Sequence, residues 1–178
     1  MAGALYLLLR HTRPPDIAYP LESSFQMRKL EHTTDIQAPA ATVWQVLTAT
    51  EQYEQWNPFI PCLSGVLRVG QRLTVTIRAG RRSMTFRPIV ETVEDGALLR
   101  WRGRLRGVPG LFDGTHELRV EATAPGTSRF TQREAFRGVL VPLMRRLLDD
   151  TDTGFAAMNA ALKARATSRV AQAAATTA

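Results

Sequence analysis

The feature that most constrains this chain is a change of hydrophobic period. From Leu73 to Phe136 apolar residues recur at every second position in short runs broken by glycine and proline, and after Gly138 they recur at helical spacing. Period-two runs between turn residues predict an antiparallel meander in which each strand turns one face inward. Leu140, Met144, Leu147, Leu148, Thr151, Phe155, Met158 and Leu162 then form one stripe about six turns long, which predicts a single helix with one buried face. Such a helix, following a strongly twisted sheet, buries its stripe by lying in the concavity of that sheet.

The strand pattern can be read residue by residue. Leu73, Val75 and Ile77 alternate with Thr74, Thr76 and Arg78. Leu99, Trp101, Gly103 and Leu105 alternate with Arg100, Arg102, Arg104 and Arg106, which predicts an outward ladder of arginines on a solvated sheet face. Phe112, Gly114, His116, Leu118 and Val120 share one face of the next strand, and Phe130, Gln132, Glu134 and Phe136 one face of the last. Met84 to Val93 is extended, with Pro88 marking an edge or a bulge. Upstream, Leu30 to Ile36 reads as a strand. Pro39 suits a first helical turn, with Val43, Trp44 and Leu47 at helical spacing behind it. A second short helix is expected over 50–56, before Pro58 and Pro61 enforce an extended passage.

Parity fixes more than facing. If the inward faces match across the turn at Pro125 and Gly126, even positions pair with even positions and the connection holds an odd number of residues. Glu134 is then the direct or the diagonal neighbour of His116, at Cβ separations of about 5 or 7 Å. Aligning Leu105 with Phe112 brings Trp101 opposite His116. An imidazole and a carboxylate on inward faces cost about 1–3 kcal/mol each if left unpartnered, so they should meet each other, water or a ligand. A structural polar pair and pocket lining fit them about equally at this level; general acid/base chemistry ranks behind both, because the sequence shows no third group to orient the pair.

With 178 residues and 44% hydrophobic content, one domain with one sizeable core is expected. It should span 28–167, behind a poorly ordered tail over 1–27 that carries Pro14, Pro15 and Pro20, with a frayed alanine-rich tail over 168–178. Met27 is a candidate alternative start. Cys62 is the only cysteine, which excludes an intramolecular disulfide and fits a reducing, cytoplasmic setting. The net charge of +7 is carried by arginine, since Lys29 and Lys163 are the only lysines. Zinc-finger spacing is absent, as is a basic helix with interleaved aromatics, so no specific nucleic-acid partner is expected. No apolar run approaches the roughly 20 residues of a membrane span, and residues 2–9 lack the flanks of a signal peptide, so no membrane insertion is expected. The sequence calls for no metal and no cofactor, and leaves the oligomeric state open.

Three stretches carry a resemblance. They are Ile36, Ala38, Pro39, Val43, Trp44 and Leu47; then Trp56 to Ile60; then Pro109 to His116 with Phe130, Arg133, Glu134, Phe136 and Gly138, followed by Gly154, Phe155, Met158 and Asn159 in the helix. In this order and spacing the chain resembles the polyketide cyclase/dehydrase branch of the START-like SRPBCC superfamily, relatives of the START lipid-transfer domains and the birch-pollen allergen. The resemblance implies an α+β helix-grip fold: a curved antiparallel sheet of six to seven strands, two short N-terminal helices and a long C-terminal helix over a cavity. It implies a small hydrophobic partner, a lipid, polyketide or similar molecule. The lining expected for it is Trp101, Gly103, Phe112, Gly114, His116, Leu118, Phe130, Gln132, Glu134, Met144, Phe155 and Met158. Gly103 and Gly114 leave side-chain volume missing near His116. Function diverges widely within this fold. A polyketide cyclase/dehydratase-like enzyme with His116 and Glu134 as acid and base, and a protein-interaction domain contacted through its arginines, stand beside the binding module.

Overall fold

The computed structural model of the protein describes residues 27–177, so the expected N-terminal tail lies outside the described residues except for Met27. In chain order the elements are β1 (Met27–Ile36), α1 (Ala40–Thr48), a 3-10 turn (Thr50–Gln52), α2 (Tyr53–Trp56), β2 (Cys62–Ser64), β3 (Thr74–Ala79), β4 (Arg82–Phe86), β5 (Ile89–Glu94), β6 (Leu98–Arg104), β7 (Asp113–Ala124), β8 (Thr127–Arg137) and α3 (Arg145–Thr177). Antiparallel ladders join them into a five-stranded sheet of order β1-β8-β7-β6-β5 and a three-stranded sheet of order β2-β3-β4. This is the α+β helix-grip architecture.

The described residues form more strands than the six to seven expected, for two local reasons. Pro88 has no N–H to continue a ladder and splits the segment after Met84 into β4 and β5. The passage after Pro61 pairs with β3 as the short β2. The two sheets stay connected at the split, because Leu73 N–H donates to Pro88 O at 2.9 Å and Val90 N–H to Gln71 O at 2.9 Å.

α3 is gripped along its length. Its buried face carries Leu148, Phe155, Met158, Leu162 and Ala166. Gly154 lets the Phe59 ring press directly on the helix, where any Cβ would collide with it. Polar rungs run from β1 to α3: Arg28 to Asp149 at 2.7 Å, His32 Nε2 to Asp152 at 2.9 Å, and Asn159 Nδ2 donating to Thr34 Oγ1 at 3.1 Å. The expectation of a frayed segment beyond 168 is corrected by a regular helix to Thr177. Alanine has the strongest helix preference of any residue, and Arg165 and Arg169 anchor this half by donating to Gln52 Oε1 at 3.2 and 2.9 Å.

Near the other helices, Tyr53 is fully buried and its hydroxyl donates to Leu47 O at 2.7 Å. Burial raises its pKa well above the ordinary tyrosine value. Asn57 Oδ1 accepts from the N–H groups of Phe59 and Ile60 at 3.1 and 2.8 Å, so Asn57 shapes the turn through Pro58. Cys62 is exposed.

The arginine ladder is not simply solvated. Glu31, Arg133, Glu117, Arg100 and Thr92 occupy one register row across all five strands. Arg133 pairs with Glu31 at 2.8 Å and with Glu117 at 3.7 Å, Arg100 pairs with Glu117 at 3.5 Å, and Arg100 donates to Thr92 Oγ1 at 3.0 Å. Arg133 also holds the Glu31 carboxyl below its ordinary pKa. Arg106 leaves the ladder altogether, because β6 ends at Arg104 and a tight turn follows. Glu117 is the shared acceptor of Arg100, Arg119 and Arg133. Replacing Glu117 with alanine should cost about 1 kcal/mol and lower the thermal midpoint by about 2–4 °C. A midpoint unchanged within error would show that the row contributes nothing beyond solvation of its charges.

Candidate functional site

The site is built on a single rung. Trp101, His116 and Glu134 are direct register partners across β6, β7 and β8. The expectation of an odd number of residues in the turn is corrected: it contains only Pro125 and Gly126, and Ala124 pairs with Thr127. An irregularity between Ala122 and Ala124 admits the extra residue Thr123, which restores the even-with-even pairing from Ala122–Ser128 onward.

Around His116 the contacts are specific. Its Nδ1 lies 3.2 Å from Glu134 Oε2 and its Nε2 lies 3.2 Å from Gln132 Nε2. The imidazole stacks on the Trp101 indole at 4.7 Å between centroids and meets the Phe155 ring edge-on at 5.2 Å. Gln132 Nε2 also donates to Met158 Sδ at 3.5 Å. With the Gln132 amide oriented so that its nitrogen faces the ring, that nitrogen donates, His116 Nε2 accepts and Nδ1 carries the hydrogen given to Glu134. The His116 ring is almost fully buried, whereas the Glu134 side chain keeps 15% exposure.

Beyond this rung the interior opens. Gly103 and Gly114 are direct partners on adjacent strands, one rung along from Trp101 and His116 on the same face. A cavity of about 70 Å³ lies over them, roofed by Leu147 and Thr151 of α3 and walled by Phe59, Ile60, Val75, Ile77, Phe86, Pro88, Leu105 and Phe136, with Arg104 at its border. A Cβ on Gly103 would meet only Pro88 Cβ, at 3.8 Å, whereas one on Gly114 would press on Glu134 Oε1 at 2.8 Å.

Of the expected lining residues, Trp101, Gly103, Phe112, Gly114, His116 and Glu134 border this cavity. Leu118, Phe130, Gln132, Phe155 and Met158 do not; they are fully buried in the solid part of the core. Met144 lies in a 3-10 turn ahead of α3 and packs against the core edge. The difference has one cause: parity selects the inward face but not the depth along it, and the cavity occupies only the end marked by the two glycines. Leu147 and Thr151 were on the helical stripe and Phe136 on the inward face of β8, so their signal was present. Phe86 and Pro88 carried none, because the break at Pro88 obscures the facing of that segment. No group of three or more potential metal ligands is found among the described residues, and no helix there is long and apolar enough to cross a membrane.

Solved structures share this architecture. The Zhui aromatase/cyclase from Streptomyces sp. R1128 superposes with a TM-score of 0.67 at 18% identity, covering 82% of this chain and 96% of its own. Norcoclaurine synthase from Thalictrum flavum, in complex with dopamine and hydroxybenzaldehyde, gives 0.60 at 17% identity, covering 91% and 95%. A START superfamily protein from Mycobacterium smegmatis gives 0.60 at 17%, covering 78% and 96%. At these identities the likeness establishes the fold alone. The sequence matches none of the curated proteins with which it was compared. The sequence pattern of the family described as polyketide cyclase / dehydrase and lipid transport, however, matches residues 27–174, nearly all of the described chain, and the protein belongs to that family.

Proposed function

We propose that the protein binds a small hydrophobic molecule in the cavity between the sheet and α3. The observation that carries this reading is the Gly103–Gly114 rung, where two adjacent strands both omit a side chain beneath Leu147 and Thr151 of α3 and between mostly apolar walls. Close-packed interiors do not leave such gaps without a cost in lost contacts. The polar groups at its inner end, His116 and Glu134, fit a pocket that orients a mostly apolar guest through few hydrogen bonds.

A ligand at 100 times its dissociation constant adds about 2.7 kcal/mol to folding stability. For a domain of this size that raises the thermal midpoint by roughly 5–10 °C. Screening fatty acids, aromatic polyketides and sterols should find such a shift. Gly103→Val should abolish it in a folded protein, because the new side chain fills the cavity while its Cβ makes ordinary contact with Pro88. No shift with any compound, or an equal shift in the variant, would contradict the reading.

A second reading is favoured by the contact between His116 Nδ1 and Glu134 at the cavity wall: the pair passes a proton to or from a bound carbonyl compound, as general acid and base. It requires the tautomer inferred above. Nitrogen-15 NMR of the imidazole at mildly alkaline pH should find Nδ1 protonated and Nε2 bare, and a protonated Nε2 would contradict the assignment. Under this reading Glu134→Gln keeps the ligand-induced thermal shift and loses conversion of the bound compound; conversion at the unaltered rate would leave binding alone.

A further inference from the structure

Outside the cavity a second concavity of about 730 Å³ opens against it, and the two share Phe86, Arg104 and Leu105 in their walls. Its rim is dominated by one residue type: Arg72, Arg87, Arg102, Arg104 and Arg106 all border it, against one carboxylate, Glu91. Glu91 is taken by Arg102 at 3.0 Å. Arg72 donates to the backbone oxygen of Arg87 at 3.2 Å, and among the described residues no carboxylate forms an ion pair with Arg72, Arg87, Arg104 or Arg106. Farther along the outer sheet face that Arg102 and Arg104 share, Arg100, Arg119, Arg129 and Arg133 all have carboxylate partners. Arg106 is held with φ +51, the only positive φ of a non-glycine residue among the described residues, in the turn that closes this groove. Left-handed backbone is uncommon for such a residue and is kept where the surroundings require it.

Size and charge together decide what the groove can take. A cavity of about 70 Å³ holds a small ring or a chain end, whereas sites for whole drug-sized ligands run to roughly 300–1,000 Å³. The shared walls at Phe86, Arg104 and Leu105 are where the groove adjoins the cavity and can receive the remainder of a larger guest. Glu134 at the inner end disfavours an anion there, and the unpaired guanidiniums at the mouth favour one, since Arg donates in paired fashion to carboxylate and phosphate oxygens. We infer that the ligand is an anionic amphiphile, its apolar part seated over Gly103 and Gly114 and its carboxylate or phosphate held in the groove by Arg104 and Arg106, with Arg72 and Arg87 opposite. This rests on the hydrophobic-ligand reading of the cavity and adds the chemistry of the ligand's other end.

The test uses three probes with one apolar chain: dodecanol, dodecanoate and dodecyl phosphate, titrated calorimetrically at fixed ionic strength. Charge-assisted hydrogen bonds predict that the anionic probes bind roughly 10- to 100-fold more tightly than the alcohol, and the tighter of the two names the head group. The double variant Arg104→Ser with Arg106→Asn should shrink that advantage to about threefold or less; asparagine tolerates the backbone conformation of Arg106. Arg81→Ser with Arg82→Ser, which removes the same charge from the β3–β4 turn, should leave the advantage intact. Equal binding of all three probes, or an advantage that survives in the Arg104/Arg106 variant, overturns the inference while leaving the cavity reading in place. Failure of every probe, dodecanol included, overturns the cavity reading and this inference with it.

Discussion

Between Ala122 and Ala124 the β7–β8 ladder accommodates one extra residue, and the chemistry of the interior depends on it. The two-residue turn at Pro125 and Gly126 would on its own pair even positions with odd ones, and such a slip turns every side chain of a strand to the opposite face. Glu134 would then share the outer face with Glu117, and Ala135 would replace it beside His116. With the bulge at Thr123 the inward face of β8 carries Phe130, Gln132, Glu134 and Phe136, and His116 gains two hydrogen-bonding neighbours in place of an unpaired burial.

The same register divides the interior into two parts. Toward Val120 and Phe130 the inward residues are large, and with Leu162 and Ala166 they fill the space beneath α3. Toward Gly103 and Gly114 the sheet withdraws its side chains, and the pieces around the opening are held by backbone devices. Pro88 breaks one ladder to form a wall. Gly138, at φ +139, turns the chain against the Leu111 carbonyl, where a Cβ would come within 2.5 Å of the oxygen, and so feeds it into α3 at the mouth. The polar rungs from Arg28, His32 and Thr34 to α3 fix the roof at its position above this gap.

Much of this was legible in the sequence, because β7, β8 and the middle of α3 obey simple periods and parity carries a register across a hairpin. The pairing of His116 with Glu134 and the placement of Trp101 opposite His116 follow from such rules. What was not legible lies where long-range pairing decides. The short β2 has no period of its own and is defined by β3. The partners of Asp149 and Asp152 lie about 120 residues earlier in β1, beyond the reach of any local pattern. The depth of Leu118, Phe130, Gln132, Phe155 and Met158 depends on where the two sheets and α3 meet, so facing inward did not place them at the opening. The arginines illustrate the same limit: alternation assigns Arg100 and Arg104 to one ladder, yet one joins an ion-pair row and the other borders the cavity.

The central claim is that the gap over the glycine rung is a place where an apolar guest sits. It can be examined without knowing the natural ligand by pressurising crystals of the protein with xenon, which enters dry apolar cavities large enough to hold it. The account predicts a xenon peak in van der Waals contact with Gly103, Gly114, Phe112 and Phe136, absent from crystals of the Gly103→Val variant. Xenon bound elsewhere in the domain, or ordered water filling that space with no xenon, would contradict it.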